Sequence, residues 1–191
     1  MKKWLKFLIY MVVFIFILVG AKYGYKYLTE SYEKENGKDS SGDVYVSEET
    51  KHKASDFEVI NENGKKVKLS DYFGKPIVVN FWATWCGPCQ MEIPDFIKAY
   101  QKHGEEIEFL MVNLTDGHPD TVESVKQFMN ENKYEFPIYF DTELDAANTY
   151  QLYSIPQTLF INADGEISNS YIGMINENII EKEILNIKNV Q

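Results

Sequence analysis

The sequence predicts an α/β domain, a central mixed β-sheet with helices on both faces, carried on one N-terminal transmembrane helix. Three features predict it. Beyond Ser55, short apolar runs alternate with stretches of helical period; turn signals mark a hairpin at each end of that region; and an uncharged, strongly apolar run fills residues 7–21. Strand and helix patterns that alternate in this way give a sheet covered on two faces.

Lys2, Lys3 and Lys6 precede the run FLIYMVVFIFILVGA, Trp4 and Leu5 extend its apolar face, and Tyr23, Tyr25 and Tyr27 follow it. A spanning helix needs roughly 17–25 residues, so the run is marginal alone and relies on aromatic flanks at the two interfaces. The lysines favour an N-in orientation, which Lys22 and Lys26 weaken. A cleaved signal peptide is the competing reading, because Val19-Gly20-Ala21 resembles a small-x-small cleavage site. The tyrosine girdle favours a resident anchor over residues 1–28, and either reading exports the rest of the chain. No cysteine lies near the run to carry lipid. Residues 29–54 are polar and charged and read as a flexible linker, long enough as a coil to span roughly 30 Å. Within it, Val44-Tyr45-Val46 has the alternative reading of an edge strand.

The domain proper covers residues 55–191. Its first element is an N-terminal β-hairpin: Phe57-Glu58-Val59-Ile60 and Val67-Lys68-Leu69 flank a turn containing Asn63-Gly64. Residues 77–82 (IVVNFW) form a run suited to burial on both sides of a sheet. From Cys86 to His103, Met91, Ile93, Phe96, Ile97 and Tyr100 recur near helical spacing, and Gly104 closes the helix. Residues 107–114 read as a strand, and residues 119–132 as an inserted helix with Val122, Val125, Phe128 and Met129 on one face. A short strand at 138–140 and a brief helix at 142–150 follow. Residues 157–161 and 166–173 pair about Asp164-Gly165, and a last amphipathic helix uses Ile175, Ile179, Ile180, Ile184 and Ile187.

The 191 residues carry a net charge of −10, which repels phosphate backbones, and no basic stripe offsets it; nucleic acid is not an expected partner. The two cysteines, Cys86 and Cys89, stand too close to staple distant parts of a core, so their value is chemical. Structural zinc needs four ligands, and His52, His103 and His118 are scattered; neither metal nor cofactor is expected.

Trp85-Cys86-Gly87-Pro88-Cys89 lies where the central strand passes into its helix. A thiol at a helix N-terminus meets unpaired backbone N–H groups and the positive end of the dipole, which stabilise thiolate over thiol. Cys86 is therefore the candidate nucleophile. Cys89, one turn later on the same face, is placed to resolve a mixed disulfide. Gly87 lets a substrate backbone approach, and Pro88 suits a first helical turn. Trp82, inside an apolar strand, reads as core, whereas Trp85 reads as a shield for the sulfur or a substrate contact. Asn113-Leu114-Thr115 has the form of a glycosylation acceptor, but its place at a strand end marks it as chance.

The stretch FWATWCGPCQMEIP, with Pro94 inside the helix, resembles the active-site segment of thioredoxins. With the apolar N-terminal run, the leading hairpin and the inserted helix, the chain resembles the ResA/TlpA-like membrane-anchored thiol-disulfide oxidoreductases over residues 55–191. The resemblance implies a thioredoxin-like fold and a cis proline at Ile155-Pro156, beside the cysteines, with the Ile155 backbone free to bond an extended substrate. Thioredoxins keep an aspartate before the Phe-Trp pair; here that place is Asn80, which does not titrate. Similar ResA-like proteins carry a glutamate at the position of Glu92, which helical spacing sets near Cys89. A desolvated carboxyl there has a raised pKa and can take the Cys89 proton; the alternative reading is a solvated surface glutamate.

The implied activity is reduction of disulfides in exported proteins at the outer face of the cell membrane, with a CcdA-like membrane electron donor and apocytochrome c among the clients. The same dithiol run backwards is a thiol oxidase, the alternative reading, and direction depends on potential. A peroxiredoxin-type peroxidase needs a Pro-x-x-x-Thr-x-x-Cys setting that Cys86 lacks.

Overall fold

The run Ile77–Trp82, buried at every position, forms the central strand of a nine-stranded mixed sheet in the computed structural model, which describes Tyr45–Val46 and residues 52–189. The strands among these residues are β1 (Tyr45–Val46), β2 (His52–Lys53), β3 (Glu58–Asn61), β4 (Lys66–Lys68), β5 (Ile77–Trp82), β6 (Glu108–Asn113), β7 (Ile138–Phe140), β8 (Gln157–Ile161) and β9 (Glu166–Ile172). The helices are α1 (Gly87–His103), α2 (Val122–Asn132), α3 (Asp145–Thr149) and α4 (Glu177–Asn189), with a 3-10 turn at Leu69–Tyr72. The sheet runs β1-β9-β8-β5-β6-β7-β3-β4, and β2 shares the β9 edge with β1. Strands β5, β6 and β7 are parallel, while β8 and β9 on one side and the β3–β4 hairpin on the other are antiparallel.

Period-two alternation along β5 divides the core. Val78 and Trp82, with Phe109, Met111 and Phe160 of neighbouring strands, pack in one cluster with α1, α2 and α4. Ile77, Val79 and Phe81, with Leu110, Val112, Leu159 and Ile161, pack in the other with Phe57, Val59 and Ala146 of α3. Full burial of each large apolar side chain contributes about 1.5–3 kcal/mol, so β5 is apolar throughout except for Asn80.

Several boundaries differ from the sequence reading, among them the brief helix, which is Asp145–Thr149 rather than 142–150. The expected linker over residues 29–54 contains β1 and β2, which pair antiparallel with β9 at Tyr45↔Ile172 and His52↔Ile167, and Ala54 is buried. The sheet thus starts ahead of Ser55: the outer edge of β9 offers unpaired backbone groups, and the short runs before Ser55 satisfy them. The inserted helix begins at Val122 rather than 119, because Thr121 Oγ1 caps the Ser124 N–H at 3.1 Å and Ser124 returns the bond to the Thr121 N–H at 2.8 Å. The last helix begins at Glu177, leaving Ile175 buried ahead of it in the approach loop. The expected membrane segment of residues 1–28 and the rest of the expected linker lie outside the described residues. Among the described residues no helix is long and apolar enough to cross a membrane.

Candidate active site

Register brings three chain segments to the C-terminal end of β5. Strand β8 runs antiparallel to β5 with Phe81↔Gln157, so the residues just before β8 lie beside those just after β5. Strand β9 returns along β8 with Gln157↔Ile172, and Gly173 N–H donates to the Pro156 carbonyl at 2.8 Å, so the approach to α4 ends there too. The cysteine pair and its helix therefore meet Ile155-Pro156 and Ile175, which are distant in sequence: Cys86 lies against Ile155, and Glu92 against Ile175.

Cys86 is the N-cap of α1, with extended backbone at φ −85° and ψ 104°. Its sulfur accepts a hydrogen bond from the Cys89 N–H at 3.2 Å. Pro88 lies in the first turn, where its missing N–H costs nothing, and Pro94 sits in the helix interior. The pair is joined as a disulfide with a Cα–Cα distance of 5.2 Å. Cys86 keeps a 5 % exposed edge whereas Cys89 is at 0 %. Gly87 and Pro88 are exposed, and Trp85 is 56 % exposed. The Ile155–Pro156 bond is cis, and the Ile155 carbonyl oxygen lies 3.8 Å from Cys86 Sγ. A nucleophile from solvent meets Cys86 first, and in the open form the Cys89 N–H stabilises charge on the Cys86 sulfur.

Glu92, one turn beyond Cys89, is 1 % exposed. Its Oε1 accepts from Asn80 Nδ2 at 2.8 Å and its Oε2 from the Ile175 N–H at 3.0 Å. Burial pushes the carboxyl from its ordinary 4.5 up to about 8, against the opposing pull of the Ile175 N–H and the Asn80 amide. Asn80 also donates to Thr158 Oγ1 at 3.0 Å, while its Oδ1 has no hydrogen-bond partner among the described residues.

Sequence reasoning noted Asn80 only as a residue that does not titrate. Its place, on the face of β5 shared by Val78 and Trp82 and turned to α1, makes it the clamp on Glu92. A lone amide in an all-buried strand was the available signal, since such a group needs a buried polar partner. The Ile175 contact is a backbone N–H and left no trace in residue type. Asn113, in the apparent glycosylation acceptor, is fully buried and donates to Asp120 at 2.9 Å.

Residues 50–170 match the AhpC/TSA family. The thiol-disulfide oxidoreductase ResA of Geobacillus kaustophilus is 35% identical over 138 residues, covering 71% of this chain and 76% of that protein. ResA of Bacillus subtilis is 32% identical over 142 residues, covering 72% and 76%. A solved structure from Chlorobium tepidum, described as a putative thiol:disulfide interchange protein DsbE, superposes with a TM-score of 0.65 at 26% identity, covering 74% of this chain and 99% of that one. With a helix-capping cysteine pair on a thioredoxin-like sheet, the chain belongs to the AhpC/TSA family and, within it, to the ResA-type thiol-disulfide oxidoreductases.

Proposed function

We infer that the protein is an extracytoplasmic reductase of protein disulfides, held at the membrane by residues 1–28. The carrying observation is the Cys86 sulfur at the α1 N-cap, accepting the Cys89 N–H at 3.2 Å within a reversible disulfide. In the reduced enzyme the Cys86 thiolate attacks one sulfur of a client disulfide. A mixed disulfide forms, and the other client sulfur leaves as a thiolate and takes a proton. Cys89 then gives up its proton and attacks Cys86 Sγ; the second client thiol leaves, and the enzyme is left with the Cys86–Cys89 disulfide. Two electrons have passed to the client.

The ionised form of Glu92 is the acceptor for the Cys89 proton, supported by its burial, its place one helical turn away and a pKa near the working pH, at which both forms are populated. Trp85, Gly87 and Pro88 form one side of the client site, and Ile155 with Pro156 the other, where an extended client segment bonds the Ile155 backbone. Recycling requires a dithiol donor in or across the membrane, of the CcdA-like kind, and apocytochrome c is a fitting client for an enzyme so placed.

Insulin reduction by the full chain, with Cys86→Ser as control, tests the chemistry. The reduction potential against glutathione tests its direction: a value near or above about −120 mV, the oxidant end of the known range, would turn the assignment to thiol oxidase. Intact mass of the protein recovered from membranes tests the anchor, and loss of residues 1–21 would end it.

A further inference from the structure

We propose that Asp120 is a positioning residue of the exchange site, gripping Thr84 so that the backbone carrying Trp85 is presented to a protein client in one position; the proposal rests on the protein-disulfide reading above. Asp120 is 0 % exposed and lies in the loop ahead of α2, far in sequence from the cysteines. Its Oδ2 accepts from the Thr84 N–H at 2.8 Å, and its Oδ1 accepts from the Thr84 hydroxyl. Two bonds to one residue fix both the position and the rotation of that residue. A third donor, Asn113 Nδ2, reaches Oδ2 at 2.9 Å. The Asn113 amide is itself held, because the Thr115 hydroxyl donates to its Oδ1 at 2.9 Å. From the other side, Gln90 Nε2 of α1 donates to the Thr84 carbonyl. Thr84 is thus held at its N–H, its hydroxyl and its carbonyl.

The residue so held is followed by Trp85, which is 56 % exposed, and then by the Cys86 cap. A large exposed ring has little core packing to place it, so the point from which it leaves the chain and the direction of its Cα–Cβ bond follow from the backbone on either side. The Cys86 cap fixes one side, and Asp120 with Gln90 fixes the other. Register explains how they meet: Trp82↔Asn113 is the last pair of β5 and β6, so the loops leaving both strands run side by side. Burying a carboxyl is costly unless donors converge on it, and a neutral amide or an apolar contact would fill the space at lower cost. What the carboxyl adds is a two-point grip on a short loop that carries a client-facing ring, where misplacement of about 1 Å can cost 10²-fold in rate.

The test compares reduction of insulin with reduction of 2-hydroxyethyl disulfide by the full-length protein, which separates contacts to a protein surface from reactivity of the sulfur. Asp120→Asn and Thr84→Val should each lower kcat/KM on insulin about tenfold more than on the small disulfide, with the change mainly in KM. Thr84→Ser, which keeps the hydroxyl, should restore the wild-type ratio. The double variant Asp120→Asn/Thr84→Val should lose no more than either single variant, as expected of two partners in one interaction. Equal losses on both substrates, wild-type behaviour on insulin, or multiplying losses in the double variant would each overturn the proposal. A wild-type protein that reduces neither substrate would instead overturn the protein-disulfide reading, and the positioning role with it.

Discussion

Glu92→Gln tests the buried carboxyl directly, through the pH dependence of stability. In the folded protein the Glu92 pKa is raised from 4.5 to about 8. Below pH 4.5 the carboxyl is protonated in both folded and unfolded chains and carries no differential cost. Between 4.5 and 8 the unfolded chain ionises while the folded one holds its proton, so stability falls as pH rises, and it levels off above 8. At about 1.36 kcal/mol per pH unit, the wild type loses roughly 5 kcal/mol across this window relative to a variant that cannot ionise. The substituted glutamine side chain would also turn an amide N–H toward either Asn80 Nδ2 or the Ile175 N–H, both donors, so the variant carries a penalty of its own. That penalty does not vary with pH. The assay is urea unfolding of wild type and Glu92→Gln at intervals from about pH 4 to 9, with the disulfide closed so that neither cysteine titrates. The difference in unfolding free energy between variant and wild type should shift by several kcal/mol in favour of the variant as pH rises from 4.5 to 8. A difference that stays constant within about 0.5 kcal/mol over that range would refute the buried, proton-holding carboxyl and remove Glu92 from proton transfer.

Asn80→Ala removes one of the two donors that oppose the rise, so the upper breakpoint of the same stability profile should move further above 8; an unchanged or lower breakpoint would show that the amide does not act on Glu92. Cys89→Ala should accumulate a covalent adduct between Cys86 and the client, visible on non-reducing gels, whereas Cys86→Ser should accumulate none; the reverse pattern would exchange the roles of the two sulfurs. Gly104→Ala should lower stability by about 1–3 kcal/mol, read as a reduced urea midpoint with insulin reduction by the folded protein retained. Gly104 has right-handed backbone, so the cost is steric: an added Cβ would lie 2.7 Å from the Tyr100 ring and from its carbonyl oxygen.

Much of the fold was legible because its elements are locally specified. Strand β7 at Ile138–Phe140 and strand β8 at Gln157–Ile161 fall where the apolar runs place them, and the turns at Gly64 and Gly165 take the positive φ that their glycines allow. The start of α2 was misjudged because Thr121 caps through a serine three residues on, a weaker sequence signal than the usual glutamate. Strand β1 takes the edge-strand alternative that Val44-Tyr45-Val46 offered, whereas β2 was hidden in a polar stretch because an edge strand needs no apolar face, only a partner with free backbone groups.

The chemistry is written in one continuous stretch of residues: two sulfurs one helical turn apart at a strand-to-helix junction, with a carboxyl one turn further on, are a local arrangement that consecutive turns of one helix specify. How that chemistry is tuned depends on contacts between segments distant along the chain. The burial of Glu92, its clamp between Asn80 and the Ile175 N–H, and the grip of Asp120 on Thr84 all join residues brought together by strand register. Register depends on pairing across the whole sheet, and a backbone N–H that completes a site carries no mark in the amino-acid code.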